Sequence, residues 1–68
     1  MHSRDLVTIR NTGSTLDGAR GRLLGKSVNG LIIIWIVELI GETFFHEGEE
    51  YLAITLPSSC LEPNGAFG

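Results

Sequence analysis

The feature that most constrains the fold is the run of residues 31–40, which contains five isoleucines, a valine and a tryptophan. Branching at Cβ suits the pleated surface of a sheet and restricts χ1 in a helix. The run has no polar stripe with helical spacing, and a glycine lies on each side of it. We therefore expect it to be the central strand of an all-β fold. It is too short for the roughly 20 residues of a membrane-spanning helix, so no membrane span is expected.

Shorter segments on both sides of the central strand predict further strands. Val7 and Ile9 alternate with polar residues, as do Leu52, Ile54 and Leu56, and both sets should point inward. Glycines in the second predicted strand indicate a bend or bulge. We expect five strands, over residues 6–10, 20–28, 31–40, 51–56 and 61–62, with a short 3₁₀ turn at residues 57–60.

The pairing of the second and third strands depends on Asn29 and Gly30, a dipeptide typical of a two-residue type I′ turn. If these two residues form the whole loop, Leu24 pairs with Trp35. Arg22 and Lys26 then place the Trp35 side of the hairpin in solvent, whereas Glu38 favours solvent for the opposite side. The two indications conflict. A β-bulge near residues 36–37 would reconcile them, because one extra residue exchanges the inward and outward sets.

The resulting interface hypothesis concerns an apolar patch on the Trp35 side of the hairpin. Its predicted members are Leu24, Ile33 and Trp35, beside Arg22 and Lys26. Burying three large apolar side chains is worth roughly 5–9 kcal/mol as an upper value, which favours association with a protein partner or with a second copy. The alternative is internal packing, with Phe44 and Phe45 lying over the strand and at least one of them capping the core.

The order of elements resembles an SH3-like small barrel, in which four strands are followed by a short turn and a stub strand. The ending Ile54-Thr55-Leu56-Pro57-Ser58-Ser59-Cys60-Leu61-Glu62-Pro63 is similar to the strand–turn–strand close of that fold. The segment Trp35-Ile36-Val37-Glu38-Leu39, with the opening strand and the glycine-bearing second strand, is similar to accessory-subunit barrels of photosystem I and ferredoxin–thioredoxin reductase, and to KOW-type barrels.

This resemblance implies a five-stranded SH3-like barrel over residues 5–63, with flexible ends at residues 1–4 and 64–68. It also implies an adaptor role. Two features depart from the pattern. The chain is acidic, unlike most KOW-type nucleic-acid binders, and it lacks the tyrosine pairs of peptide-binding SH3 domains.

Composition bounds the functional classes. Sixty-eight residues predict one domain, and a net charge of −3 argues against nucleic acid as a partner. All basic residues nevertheless lie in the first 26 positions, so a KOW-like nucleic-acid binder is the alternative. These residues are Arg4, Arg10, Arg20, Arg22 and Lys26. A single cysteine and the lack of an apolar leader favour the cytoplasm.

Catalytic and metal-binding chemistry is not expected. Residues 21–27 have the wrong glycine spacing for a phosphate-binding loop. Cys60 has no histidine placed to activate it, so we expect a small buried thiol. An acidic loop contains His46, Glu47, Glu49 and Glu50, but these do not have the spacing of structural zinc ligands. We interpret this loop as a solvated turn or as a surface that steers a basic partner. The sequence thus predicts a non-enzymatic interaction module without cofactor or metal.

Overall fold

The computed structural model describes residues 1–63, so the predicted flexible tail at 64–68 lies outside the described residues. The described residues are mostly β-strand, and the only helical element among them is one 3₁₀ turn, Ser58–Cys60, between the last two strands described. The strands are β1 (Leu6–Ile9), β2 (Arg20–Asn29), β3 (Ile32–Ile40), β4 (Phe44–His46), β5 (Glu49–Tyr51), β6 (Ala53–Pro57) and β7 (Leu61–Pro63). No helix among these residues is long and apolar enough to cross a membrane.

The strands form two antiparallel sheets. The larger sheet has the order β6-β3-β2-β1-β7, and β4 and β5 make a separate hairpin. The all-β prediction is confirmed, with strands at every predicted position. Within residues 1–63 neither sheet closes on itself, and these residues form seven strands where five were predicted. The two additional strands lie in the segment that was predicted to be a connection.

The β2–β3 hairpin differs from the predicted register. Asn29 pairs with Ile32, so Gly30 and Leu31 form the two-residue loop. Gly30 has a φ of 65°, which glycine adopts without steric cost. The predicted loop was therefore one position too early. Lys26, rather than Leu24, lies opposite Trp35.

A β-bulge at Leu24 separates two registers within this hairpin. Leu23 pairs with Val37 and Gly25 with Ile36, which leaves Leu24 as the extra residue. The bulge lies opposite residues 36–37, where one was predicted, but the extra residue is on β2 and not on β3. It places Leu23 on the inner side of the sheet while Leu24 is exposed.

The core lies on the inner side of the five-stranded sheet. Val7 and Ile9 are completely buried, as predicted, and Val37 and Leu39 contribute from β3. The β1–β2 loop adds Leu16, which the sequence did not identify as a core residue. Among the residues that the structure describes, the buried apolar ones are Val7, Ile9, Leu16, Ala19, Leu23, Trp35, Val37, Leu39 and Leu61.

Partly buried apolar side chains complete the core at its margin. Ile54 and Leu56 pack against it as predicted, but Leu52 is exposed because it lies at the bend between β5 and β6. Phe44 packs against the core while its neighbour Phe45 is exposed, in agreement with the expected division of this pair.

The N-terminus forms a turn in which the amide of Arg4 donates to the carbonyl of Leu23 at 2.6 Å. The predicted flexibility of residues 1–4 stays a prediction.

Candidate interaction surface

The structure places Trp35 in the core, so the prediction that it lies on an exposed face is wrong. Trp35 is 3% exposed and lies between Lys26 and Leu56, its cross-strand neighbours on β2 and β6. The Lys26 ammonium is 5.6 Å from the centroid of the indole ring. Lys26 thus covers the rim of the core with its aliphatic stem and keeps its charge in water. A basic residue on the inner side of β2 caused the wrong assignment of faces.

The other predicted interface residues are divided between the two sides of the sheet. Ile33 is half-buried and packs against the core on the Trp35 side. Leu24 is exposed at the bulge, and Arg22 is exposed on the outer side within 3.9 Å of the Glu38 carboxylate. The five residues therefore do not form one patch. Leu24 and Arg22 alone lie on the outer side.

The exposed apolar surface of β3 is its opposite side. Ile32 and Ile36 are 56% and 45% exposed, with half-buried Ile34 between them. The side chains in register with these isoleucines are small or polar, which leaves the isoleucines uncovered. On β2 the neighbours are Asn29, Ser27 and Gly25, and on β6 they are Pro57 and Thr55. We call Leu24, Ile32, Ile34 and Ile36 the isoleucine face.

The tip of the β2–β3 hairpin extends this apolar surface. Leu31 occupies the turn and is fully exposed, and Val28 on the neighbouring strand is 63% exposed. Turn positions are normally polar because water surrounds them. An apolar tip joined to an apolar strand face therefore differs from the singly scattered apolar residues of an ordinary protein surface.

Several basic side chains are already engaged with other groups. The Arg10 guanidinium lies 2.8 Å from the Glu62 carboxylate, Arg22 lies near Glu38, and Lys26 lies over Trp35. These contacts are exposed and individually weak. They nevertheless interleave carboxylates with the cations, so the basic residues do not form the uninterrupted positive face that phosphate binding favours.

The predicted acidic loop is a β-hairpin. Glu47 and Gly48 both have positive φ angles, 52° and 81°, and connect β4 to β5. His46 pairs with Glu49 across the hairpin, and its imidazole stacks on Phe44 with the ring centroids 6.0 Å apart. The Glu47 carboxylate lies 3.8 Å from the same imidazole, and Glu50 accepts a hydrogen bond from Thr43.

An open groove separates this hairpin from the edge strand β6. It has a volume of about 650 Å³ and an apolar floor. The lining residues are Ile36, Phe44, His46, Tyr51, Ala53, Ile54 and Thr55.

The described residues contain no arrangement suited to metal binding or nucleophilic catalysis. In residues 1–63, no three His, Cys, Asp or Glu side chains are close enough to hold a metal ion. Cys60 is half-buried rather than buried, and its Sγ is 3.8 Å from the carbonyl oxygen of Asn11. No imidazole contacts it among these residues, so it lacks a base.

The chain matches no protein-family model, no curated protein and no solved structure. Its function is therefore inferred from the geometry of these surfaces alone.

Two parts of the surface were missed by the sequence reasoning. The isoleucine face had a signal, because Glu38 shares its side of β3 with Ile32, Ile34 and Ile36, and a glutamate marks the solvent side. The sequence signal for the groove was weaker. It was the Glu47-Gly48 dipeptide between two short aromatic-containing segments, which indicates the β4–β5 hairpin beside the groove.

Proposed function

We propose that this protein is a non-enzymatic interaction module, a homo-oligomer or a small accessory subunit, that associates through the isoleucine face and the hairpin tip. The observation that carries the proposal is the exposure of Ile32, Ile36 and Leu31 on one continuous surface. The face is flanked by small or polar side chains and lacks charge between Ile32 and Ile36. Such a face is self-complementary, so a second copy is the first partner to test.

The expected association is weak. Three strands about 4.8 Å apart, taken over the roughly 17 Å that the five residues of β6 span, present an area of about 250 Å². A standard stable interface buries about 800 Å² on each partner. Covering the exposed halves of Ile32 and Ile36 contributes about 1 kcal/mol each. We therefore expect a reversible, concentration-dependent complex rather than an obligate one.

We also propose that the five-stranded sheet is an SH3-like barrel with the β4–β5 hairpin inserted before its fourth strand. The strand order β6-β3-β2-β1-β7, with a 3₁₀ turn between β6 and β7, supports this assignment. Removing the inserted hairpin leaves the five strands that the resemblance implies. An adaptor role in the cytoplasm is consistent with such a module and remains part of the proposal.

The alternative of a KOW-like nucleic-acid binder has less support. Arg10 and Arg22 lie beside carboxylates on the same sheet, and the net charge is negative. Retention of RNA or DNA at low salt, lost steeply as salt rises, would favour it.

The test compares sedimentation of the wild type with the variant Ile32→Thr/Ile36→Thr. This variant keeps β-branched residues in the strand but removes apolar surface from the face. We expect its self-association to weaken about 30-fold, the equivalent of about 2 kcal/mol. The control is Phe45→Thr/Leu52→Thr, which changes two exposed apolar residues that do not lie on β3. Equal association of both variants, each with an unchanged β-type spectrum, would contradict the proposal.

A further inference from the structure

Strand β6 ends the five-stranded sheet, and its outer edge carries backbone groups able to pair with another strand. The amide of Leu39 donates to the carbonyl of Leu52 at 2.9 Å, which sets the alternation of hydrogen bonds along the β3–β6 ladder. Residues 54 and 56 therefore direct their backbone groups at β3, while Ala53 and Thr55 direct theirs away from it. In the part of the chain that the structure describes, no strand pairs with that edge.

The groove beside this edge would receive the side chains of an added strand. Ile36 and Phe44 supply apolar floor and wall, and Tyr51 lies across the hairpin from Phe44. The groove volume of about 650 Å³ is within the range of peptide and small-ligand sites. A strand paired to Ala53 and Thr55 directs alternate side chains into this groove and the others to solvent.

The negative charge of residues 27–63 favours a basic segment as the strand that binds in the groove. Residues 27–63 contain six glutamates and no lysine or arginine. Glu49 lies on the same side of the β4–β5 hairpin as Phe44 and Tyr51, two residues that line the groove, and pairs with His46, a third. Pairing β6 with β6 of a second copy would bring two acidic hairpins together and would place Pro57, which has no amide hydrogen, in the ladder.

We propose that the β6 edge binds an extended, basic segment of a partner protein by strand addition, with apolar side chains in the groove and cations beside Glu49. This goes beyond the association proposed for the isoleucine face and does not depend on it. Main-chain hydrogen bonds from Ala53 and Thr55 supply affinity, and the groove and the acidic rim supply selectivity.

The test uses a fluorescein-labelled ten-residue peptide of alternating valine and lysine, with binding measured by anisotropy on the full chain. Thr55→Pro removes the outward amide hydrogen while sparing the ladder to β3, as Pro57 already does two residues later. We expect it to weaken binding about tenfold, whereas the matched variant Thr55→Ala keeps the amide, loses only a groove-lining side chain, and should weaken binding by about threefold at most. Glu49→Gln should reduce the salt dependence, and Glu62→Gln, on the opposite edge strand β7, should not.

A second probe covers the case in which Thr55→Pro does not fold. The same peptide methylated on alternate backbone nitrogens cannot pair as a strand, so it should bind at least tenfold more weakly to the wild type. Equal binding of the methylated peptide, equal binding of an alternating valine–glutamate peptide, or no binding at millimolar peptide would each overturn the proposal. Loss of self-association in Thr55→Pro but not in Ile32→Thr/Ile36→Thr would instead assign the edge to a second copy and would also overturn it.

Discussion

At the residue scale, Gly21 shows most clearly why the fold requires one particular amino acid at a position. Gly21 is buried on the inner side of β2, opposite Leu39. A Cβ atom at this position would overlap Cγ1 of Val37 and would lie 3.1 Å from the carbonyl oxygen of Glu38. Val37 is completely buried and has no room to move aside. The close approach of β2 and β3 therefore depends on the absence of a side chain, a use of glycine that sequence alone did not distinguish from a bend.

Gly21→Ala should lower the free energy of unfolding by about 1–3 kcal/mol, the usual cost of overpacking a core. Gly25→Ala is the matched control, since a Cβ there meets no atom within 4 Å. It should change stability by about 0.5 kcal/mol or less. Urea denaturation of both variants measures the difference. Equal stability of the two variants would contradict the packing described for Gly21.

Asp17 organises the β1–β2 loop at the same scale. Its carboxylate accepts hydrogen bonds from the hydroxyl of Thr12 at 2.5 Å, from the amide of Thr12 at 2.8 Å and from the amide of Gly13 at 3.2 Å. These donors, the Thr12 hydroxyl foremost, lower the pKa of Asp17. The same loop places Leu16 in the core, so the carboxylate connects an exposed turn to a buried side chain.

The lowered pKa predicts the direction of a pH effect. A carboxyl whose folded pKa lies below its unfolded value stabilises the fold above the unfolded pKa, and this contribution disappears as pH falls through the folded pKa. Asp17→Asn should therefore melt at a lower temperature than the wild type at neutral pH. The difference should shrink as the pH falls below about 4, where the unfolded aspartate is protonated. A difference that stays constant into strong acid would exclude this role.

At the scale of elements, β3 has two apolar sides with different roles. Its existence and extent were predicted from the branched residues, and a bulge was predicted at the correct level. The predicted assignment of the two sides of β3 is wrong because the charge of Lys26 indicates a solvent-facing side, whereas Lys26 lies beside the buried Trp35. A lysine at the rim of a small core can pack its aliphatic stem against apolar side chains and keep its ammonium in water. The position of such a residue in the sequence therefore does not identify the outer face.

Adjacent substitutions in β3 should separate the two sides. Trp35→Ala removes a buried indole and should cost about 3–5 kcal/mol of folding stability. Ile36→Ala, at the next position, removes a side chain that is already 45% exposed and should cost about 1 kcal/mol. Chemical denaturation at low protein concentration gives both values. A larger loss for Ile36→Ala than for Trp35→Ala would reverse the assignment of sides.

The β4–β5 hairpin marks the limit of prediction for short elements. Each strand has three residues and includes charged or aromatic side chains without clear alternation, so the segment resembled a solvated turn. Its pairing depends on the positive φ angles of Glu47 and Gly48. A glutamate at such a position is unusual, and no propensity argument identifies it.

At the scale of the whole molecule, the all-β class and the order of the main strands followed from the pattern of apolar residues and turns. The five-stranded sheet is not closed on itself within the part of the chain described. The sequence could not predict this, because closure depends on how strongly a sheet coils, which no single residue determines. The isoleucine face follows from the unbroken alternation of β3, which puts Trp35, Val37 and Leu39 inward and leaves Ile32, Ile34 and Ile36 outward. The bulge on β2 determines which residues of that strand lie on each side.

The central claim is that these outward isoleucines, and not Trp35, meet another protein surface. Isoleucine-methyl NMR spectra recorded from micromolar to millimolar protein concentration test it most directly, since buried Ile9 serves as an internal reference. We predict that the Ile32, Ile34 and Ile36 methyl signals shift with concentration while that of Ile9 does not. Signals that all remain in place up to millimolar concentration, or shifts confined to core methyl groups, would contradict the claim.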